Sequence, residues 1–260
     1  MTVSGTERRV TVSAYIITRN EERNIARAIE SVRWMDEVVV LDSGSTDRTV
    51  EIAERLGAKV WVEPFRGFVE QKNRAMELCG CDWLFNLDAD EEATPELRES
   101  ILDVIRSAGD AGPSLYVVNR RTRYLDRWIR HCGWYPEYRE RLSRKGAARW
   151  EGEMLHERLA GENRSGRLAG ELLHRPYPGM DEHVRKILCY ADLWARRERA
   201  RGRKARTIDL VTRPAARFLK MYVLRAGFLD GAPGFVVSVM GAWYAFMKYA
   251  KLHELSRNPE

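Results

Sequence analysis

Trp83-Leu84-Phe85-Asn86-Leu87-Asp88-Ala89-Asp90 is an apolar run that ends in two carboxylates one residue apart. The apolar part predicts a buried strand, and the carboxylates stand where that strand opens into a loop. Hard divalent cations prefer oxygen ligands, and Mg²⁺ usually takes one or two carboxylates together with the phosphates of a substrate. The spacing therefore indicates a metal–diphosphate site, although the acidic stretch up to Pro95 also suits the start of a helix.

The composition limits the class of protein to which the chain belongs. Its 260 residues are long enough for one large domain, or for a core domain with an appendage, and 44% apolar residues argue against disorder. The four cysteines match no zinc spacing, so reduced cytosolic thiols are expected, and no signal peptide is evident. There is no Gly-x-Gly-x-x-Gly and no Walker A loop, which disfavours nicotinamide dehydrogenases and P-loop ATPases.

The first 120 residues alternate between strand and helix patterns. This alternation predicts an α/β fold, with a mostly parallel sheet flanked by helices. Residues 121–175 break the pattern and indicate loops with an antiparallel extension. The predicted strands cover 10–17, 37–41, 58–62, 83–87 and 114–119, and the predicted helices cover 24–33, 46–56 and 70–78, with another beginning at Pro95.

Polar residues follow three of these strands, and the carboxyl edge of a parallel sheet is where such folds bind ligands. Asp42 suits a ribose hydroxyl or a base N–H, Gly44 allows close backbone approach, and Ser45 or Thr46 suits a helix cap. A plain strand-to-helix turn is the alternative. Lys72 and Arg74 suit phosphate oxygens, or else a solvated helical face. The nucleotide-sugar candidates are Thr18, Asn20, Glu21, Asp42, Gly44, Ser45, Lys72, Arg74 and Asp88.

Three motifs, in this order and spacing, resemble the successive signatures of family 2 glycosyltransferases: Ile17-Thr-Arg-Asn-Glu-Glu22, Leu41-Asp-Ser-Gly-Ser-Thr-Asp47 and Asn86-Leu-Asp-Ala-Asp-Glu91. Later segments resemble the branch that includes bacterial lipopolysaccharide core β-1,4-glucosyltransferases, so the similarity covers essentially the whole chain. The resemblance implies a GT-A (Rossmann-like) fold, a nucleotide-sugar donor, a divalent metal (Mg²⁺ or Mn²⁺) and inversion at the anomeric carbon. The later segments are Trp134-Tyr-Pro-Glu137, Arg141-Leu142, His156-Glu157 and Gly227-Phe-Leu-Asp-Gly231.

Roles for individual residues follow from the resemblance. Asp90 is expected to bind the metal directly, and Asp88 to contact the ribose or the metal. His156 is a candidate third ligand, or else a packed or surface histidine. The attacking hydroxyl needs a base, and the family's usual Glu-Asp pair is absent. Glu137 is slightly favoured over Glu157, with Glu153 as a further rival.

The resemblance and the basic C-terminal region together suggest the partners. Residues 181–206 hold nine Lys/Arg against four Asp/Glu, and residues 231–247 form an uncharged run bounded by Asp230 and Lys248. Basic and aromatic residues near an apolar helix suit an anionic membrane surface. Packing on the catalytic domain or on a second copy of the chain, giving a homo-oligomer, is the alternative. The run is expected to be an interfacial or core helix rather than a membrane span.

The predicted organisation is a GT-A domain over 1–178, with a nucleotide-sugar half (10–120) and an acceptor half (121–178), and a helical basic and apolar extension over 179–260. The predicted activity is transfer of a hexose, with glucose as the expected sugar, from a UDP-sugar to a lipopolysaccharide core or lipid-linked glycan. The predicted location is cytoplasmic, on the inner face of the bacterial cytoplasmic membrane. A polyprenyl-phosphate or other surface-polysaccharide glycosyltransferase is the alternative. Nucleotidyltransferase and nucleic-acid binding are disfavoured.

Overall fold

The first four strands of the chain form the parallel half of a nine-stranded sheet. The structure, a computed structural model, describes residues 9–107, 112–152, 157–161 and 165–257. The strands lie in the order β3-β2-β1-β4 and pair in parallel, as the alternating pattern predicts. They are β1 (Val12–Thr18), β2 (Glu37–Asp42), β3 (Lys59–Val62) and β4 (Trp83–Asn86).

Helices cover both faces of this parallel half, because successive side chains of a strand point to opposite faces. In β1, Ala14 and Ile16 join one hydrophobic core, and Tyr15 between them joins another. The first core includes residues of α1 (Ile25–Val32), α2 (Thr49–Arg55) and α4 (Pro95–Ser107), and the second includes residues of α3 (Phe68–Leu78).

The predicted elements exist, but one helix begins later than expected. Helix α2 begins at Thr49 rather than at Thr46, and Arg48 stands at its N-cap, so the prediction that Ser45 or Thr46 caps this helix is wrong. The reason is that the backbone N–H of Thr46 donates to the Asn20 side chain at 2.8 Å, while the N–H of Thr49 donates to Asp47 at 3.0 Å. Gly57, with φ +85°, follows the end of α2, and the hydroxyl of Thr94 accepts from the N–H of Leu97 at 3.3 Å at the start of α4.

The second half of the sheet contains the antiparallel extension that the irregular segment predicts. The sheet continues from β4 through β8, β6 and β11 to β5, and the pairs β4–β8, β8–β6 and β11–β5 are antiparallel. Strands β9 and β10 form a separate two-stranded sheet. The strands are β5 (Glu91–Ala93), β6 (Leu115–Tyr124), β7 (Arg127–Trp128), β8 (Glu137–Arg144), β9 (Ala148–Glu151), β10 (Arg158–Gly161) and β11 (Gly166–His174).

The chain divides into two compact units. The first is Met1–Arg120 with Glu137–His174, and the second is Arg121–Pro136 with Arg175–Glu260. The segment expected to be an acceptor half, 121–178, is therefore shared between the two units. The predicted boundary at 178 stays a prediction.

Helices make up most of the second unit. Helix α7 packs against both α5 and α6. The buried carboxylate of Asp230 accepts from the backbone N–H groups of Arg130 and His131, at 3.1 and 2.8 Å, and so ties residues 127–131 to the helices. The elements are α5 (Met180–Ala200), α6 (Asp209–Leu219), a π-helical turn (Lys220–Leu224), a 3-10 turn (Gly227–Asp230) and α7 (Gly231–Arg257).

The apolar run predicted at 231–247 is the first part of α7. Among the described residues, no single helix is both long and apolar enough to cross a bilayer. Two helical segments, Asp209–Leu224 and Gly227–Arg257, together have the length and composition of a span, but they meet at a bend of 69°.

Candidate functional site

The loops that follow β1 and β2 are hydrogen-bonded to each other at the carboxyl edge of the sheet. Asn20, with φ +56°, donates its backbone N–H to the hydroxyl of Ser45 at 2.8 Å. The N–H of Glu21 donates to the hydroxyl of Thr49 at 2.8 Å. Asn20, Glu21 and Ser45 therefore lie close together at this edge, as expected for polar residues that follow neighbouring parallel strands.

The carboxylate of Asp42 is fully buried and shapes its own turn. It accepts from the backbone N–H groups of Gly44 and Ser45, at 2.8 and 2.7 Å, and also from the Ser45 hydroxyl. Gly44 has φ +83°, which glycine adopts most readily. Thr18, opposite Asp42 in the sheet, has a buried hydroxyl oxygen with no partner in the described structure. This edge of the sheet thus combines the hydrogen-bonded turn at Asp42–Ser45 with the Thr18 hydroxyl, which is free to bind a ligand.

A buried arginine holds the acidic turn after β4. Arg141, on β8, is only 3% exposed, and its guanidinium donates to Asn86, to Asp88 at 2.8 Å, and to Glu91 at 2.7 Å. Burial opposes ionisation of Asp88, but the charges of Arg141 and Lys72 outweigh it and hold the pKa of Asp88 well below its usual range. Burial alone would lower the pKa of Arg141, yet Asp88 and Glu91 raise it. Asp88 is therefore ionised, and Arg141 holds it in place together with Asn86 and Glu91.

Lys72 links the acidic turn to one of the two base candidates. Its Nζ lies 3.4 Å from Asp88 Oδ1 and 3.4 Å from Glu157 Oε1, and 4.3 Å from the centre of the Trp150 ring. Lys72 is 4% exposed, so the alternative of a solvated helical face is wrong for this residue. Trp150 is equally buried and donates to the Tyr15 hydroxyl at 2.8 Å, so it is a core residue.

Arg74 faces away from this cluster. It lies two positions after Lys72 on α3, and its guanidinium contacts Glu63 at 2.9 Å and Glu77 at 3.5 Å. Its side chain is 43% exposed. The structure therefore separates Arg74 from Lys72, with which the sequence grouped it.

Glu137, the other base candidate, is held by two arginines. Its carboxylate contacts Arg120 at 2.8 Å and Arg139 at 2.5 Å. Burial would raise the pKa of Glu137, but the two guanidinium groups lower it overall. A carboxylate with a lowered pKa accepts a proton less readily than one whose pKa lies near the working pH.

Asp88 and Asp90 keep part of their surface accessible, although most of their neighbours are buried. Their side chains are 27% and 21% exposed, and Asp90 Oδ2 lies 3.3 Å from Nε2 of His174. Two accessible carboxylates at this edge fit a hard divalent cation that takes its other ligands from substrate phosphates. Within the described ranges, no cluster of three acidic, histidine or cysteine side chains could hold a metal by itself. His156 and Glu153 lie outside the described residues.

Several residues that contact the acidic turn were not predicted from the sequence. Glu91, which is 1% exposed, accepts from both Arg141 and Arg120. His174 comes from the last strand of the unit, and nothing local marks it. Arg141 stood in a motif quoted for the resemblance, but no role was assigned to it. Strand β8 contains three arginines and two glutamates, so nothing in the local sequence distinguishes Arg141 from its charged neighbours.

The family model and the relatives of similar sequence identify one family. Residues 13–159 match the model described as Glycosyl transferase family 2. The chain is 34% identical over 255 residues to the lipopolysaccharide core biosynthesis glycosyltransferase LpsC of Rhizobium meliloti, covering 94% of this chain and 92% of that protein. It is 33% identical to an uncharacterized glycosyltransferase of Rickettsia typhi, covering 94% and 87%. Glucosyl-3-phosphoglycerate synthase from Mycobacterium tuberculosis, solved with Mn²⁺, UDP and glucosyl-3-phosphoglycerate, is 27% identical over 44% of each chain, with a TM-score of 0.37.

Proposed function

This chain belongs to glycosyl transferase family 2, and on that premise we propose that it moves a hexose, namely glucose, from a UDP-sugar to a lipopolysaccharide core or other lipid-linked glycan. The α/β GT-A fold class predicted from the sequence is confirmed. The R. meliloti relative, named for lipopolysaccharide core biosynthesis, supports the acceptor class. Glucose as the sugar and the linkage formed are part of the proposal.

The observation that carries this proposal is the fixed acidic turn at the carboxyl edge of the sheet. Asp88 and Asp90 are the residues that would hold Mg²⁺ or Mn²⁺, which would offset the charge that develops on the diphosphate leaving group. Arg141 keeps Asp88 ionised and oriented. The loop around Asn20, Asp42 and Ser45 would receive the nucleoside, with the Thr18 hydroxyl as an unused hydrogen-bonding group.

Replacing Asp90 tests this proposal. We expect Asp90→Asn to lower sugar transfer by about 100-fold or more, since offsetting leaving-group charge contributes several kcal/mol. The measurement is UDP-glucose turnover in Mg²⁺ and Mn²⁺ buffers. Asp103→Asn is the matched control, because Asp103 is an exposed carboxylate on α4 paired with Arg106. Unchanged turnover and donor affinity in Asp90→Asn would overturn the proposal.

Glu157 is proposed as the base that removes the proton of the acceptor hydroxyl. It lies beside Lys72, which also contacts Asp88, whereas Glu137 carries two arginine partners that weaken it as a proton acceptor. We expect Glu157→Gln to lower turnover by at least about tenfold more than Glu137→Gln, since general base catalysis contributes roughly 100- to 10,000-fold. The reverse order would transfer the role to Glu137, and near-normal turnover in both would place the base elsewhere.

Membrane association is proposed for the second unit. Ten large apolar side chains between Ile208 and Phe246 are exposed, with Leu224 at 79% and Val211 at 67%. The exposed basic residues Arg213, Lys220 and Arg225 lie in the same segment. An exposed apolar surface with basic neighbours suits an anionic bilayer. We call this surface the apolar ridge, and its members are Ile208, Val211, Leu219, Val223, Leu224, Phe228, Leu229, Phe235, Val239 and Phe246.

The location follows from these proposals. A protein that receives a UDP-sugar and a glycolipid acceptor at a bilayer would sit peripherally on the inner face of the bacterial cytoplasmic membrane. The absence of nucleic acid among its partners stays a prediction. A second copy of the chain on the apolar ridge is the competing occupant.

A further inference from the structure

The second unit contains a cavity that the proposed chemistry does not use. Its volume is about 140 Å³, and its floor is formed by the buried residues His183, Ile187, Met221 and Met240. An engineered cavity of ~150 Å³ binds benzene. The cavity therefore has room for one six-membered ring or a group of similar size, and not for a nucleotide.

Aromatic side chains supply the walls of this cavity. Trp134, Tyr177, Tyr190 and Tyr244 all line it. The Tyr177 ring is packed against His183, with centroids 4.3 Å apart, which fixes its orientation. Rigid aromatic walls with polar tips suit the mixed apolar and polar faces of a sugar ring.

The lining of the cavity contains basic residues but no acidic ones. Lys186 and Arg217 line it, and none of its lining residues is acidic. Within the described part of the chain, neither cation forms an ion pair with a carboxylate. Lys186 donates to the carbonyl of Pro176 at 2.9 Å and lies 5.3 Å from the centre of the Tyr177 ring. Both charges are therefore available to an anion.

Further positive charge lies behind the Tyr244 wall of the cavity. Lys248 lies 5.1 Å from the centre of the Tyr244 ring. Burial lowers the pKa of Lys248, and the charges of Arg217 and Arg197 lower it further against the opposing effect of Glu198. A bound anion would reduce this repulsion.

We propose that this cavity binds a sugar residue that carries a phosphate group, with the ring between the aromatic walls and the phosphate on Arg217 and Lys186. Guanidinium and ammonium groups both bind phosphate oxygens, and Arg does so with two parallel hydrogen bonds. The inference rests on the proposed function for the source of this sugar, a phosphorylated unit of the acceptor glycan. It specifies that the acceptor glycan contains a negatively charged hexose.

Binding of glucose 6-phosphate to the full chain tests this inference. The probe is titrated by calorimetry in the presence of saturating UDP, so that the nucleotide site is filled, and unphosphorylated glucose is the matched ligand. We expect glucose 6-phosphate to bind at least about tenfold more tightly than glucose, since hydrogen bonds to charged groups are the stronger class. Equal affinities would overturn the inference.

Arg217→Ala is the diagnostic variant, because Arg217 is exposed and its loss leaves no buried charge. We expect it to weaken glucose 6-phosphate binding by about tenfold or more, and Arg217→Lys to restore part of the affinity. The control is Lys220→Ala, which removes one exposed charge three residues later and does not line the cavity. Equal losses in the two alanine variants would indicate diffuse surface attraction and overturn the assignment.

A lipid phosphate is the competing source of the anion. Flotation with phosphatidic acid vesicles distinguishes it, since these present a phosphomonoester without a sugar. If Arg217→Ala abolished flotation while glucose 6-phosphate did not bind, the sugar assignment would be wrong. UDP-glucose hydrolysis by the wild-type chain reports on the proposed function independently of these measurements, so the two can fail separately.

Discussion

At the scale of single residues, Arg141 has the greatest influence on the candidate site. One guanidinium, 3% exposed, is shared by Asn86, Asp88 and Glu91. Arginine serves this purpose because its planar fork offers five donors in fixed directions. Lysine would supply the charge but not the geometry. The lowered pKa of Asp88 therefore depends on a residue that lies on a different strand.

Replacing Arg141 should destabilise the protein. We expect Arg141→Met to lower the free energy of unfolding by about 3–5 kcal/mol, because it removes the closest cation of two carboxylates that Lys72 and Arg120 then compensate only in part. Urea unfolding at pH 7 measures this. Arg149→Met, at an exposed position of β9, is the control and should change stability by less than about 0.5 kcal/mol. Adding Glu91→Gln should recover part of the loss, and no recovery would contradict this explanation.

His183 makes the stability of the second unit depend on pH. The ring is 5% exposed, and Nδ1 lies 2.7 Å from the Tyr124 hydroxyl. Burial, and then the charge of Lys186, lowers the pKa of His183 from 6.5 to about 4. The unfolded chain thus binds more protons than the folded chain between these values, and stability must fall as the pH drops through this window.

A glutamine at position 183 tests this dependence. Wild-type protein should lose about 2 kcal/mol of unfolding free energy through His183 between pH 7 and 4.5, and His183→Gln should lack that contribution. Glutamine retains an oxygen that can accept from Tyr124. Urea unfolding at the two pH values gives the difference for each protein. Equal pH-dependent losses in the two would show that His183 is not the titrating group.

At the scale of elements, β11 and α4 pack so closely that only glycine fits between them. Gly170 has φ +81°, and a Cβ there would lie 2.2 Å from the backbone nitrogen of Leu97. Two backbones can approach this closely only where one lacks a side chain. The same strand ends at His174, which contacts Asp90. The packing of β11 on α4 therefore helps to position His174 against Asp90 in the acidic turn.

Two alanine substitutions distinguish the cost of a positive φ from the cost of steric overlap with neighbouring backbone. Gly170→Ala should cost about 3 kcal/mol or more, since overlap with backbone cannot be relieved by side-chain motion. Gly57→Ala is the matched control, with φ +85° and open space around the added carbon, and should cost about 1–2 kcal/mol. Urea unfolding compares them. Equal costs would mean that β11 and α4 do not approach as closely as described.

At the scale of the whole molecule, the apolar ridge is the feature that most needs a partner. Exposed patches of this kind mark interaction sites in soluble proteins. Apart from Ile208, which directly precedes α6, its residues belong to α6, α7 and the turns between them. Phe235, Val239 and Phe246 lie on one face of α7. Its two acidic neighbours, Asp209 and Asp230, are both paired within the unit. The segment therefore offers apolar area and net positive charge together.

Flotation with anionic vesicles should depend on this ridge. We expect Val223→Ser, Leu224→Ser and Phe228→Ser together to reduce recovery with phosphatidylglycerol vesicles by about tenfold, because burial of each side chain contributes roughly 1.5–3 kcal/mol. Val62→Ser with Phe65→Ser is the control, since both residues are exposed apolar groups of the other unit. Undiminished flotation, or a wild-type dimer that the triple variant converts to monomer, would favour a protein partner instead.

The sequence by itself determined the alternation of strands and helices, the edge at which the polar motifs meet, and the family. Those features depend on local periodicity and on motifs a few residues long, which need no knowledge of distant partners. Arg141, His174 and Glu91 met only in the tertiary structure, because β8 and β11 enter the sheet from far along the chain. The same holds for the separation of Lys72 from Arg74 and for the burial of Trp150. Local sequence does not show which face of a helix will be buried or which carboxylate will be paired with a cation. Both depend on the distant parts of the chain that pack against these residues.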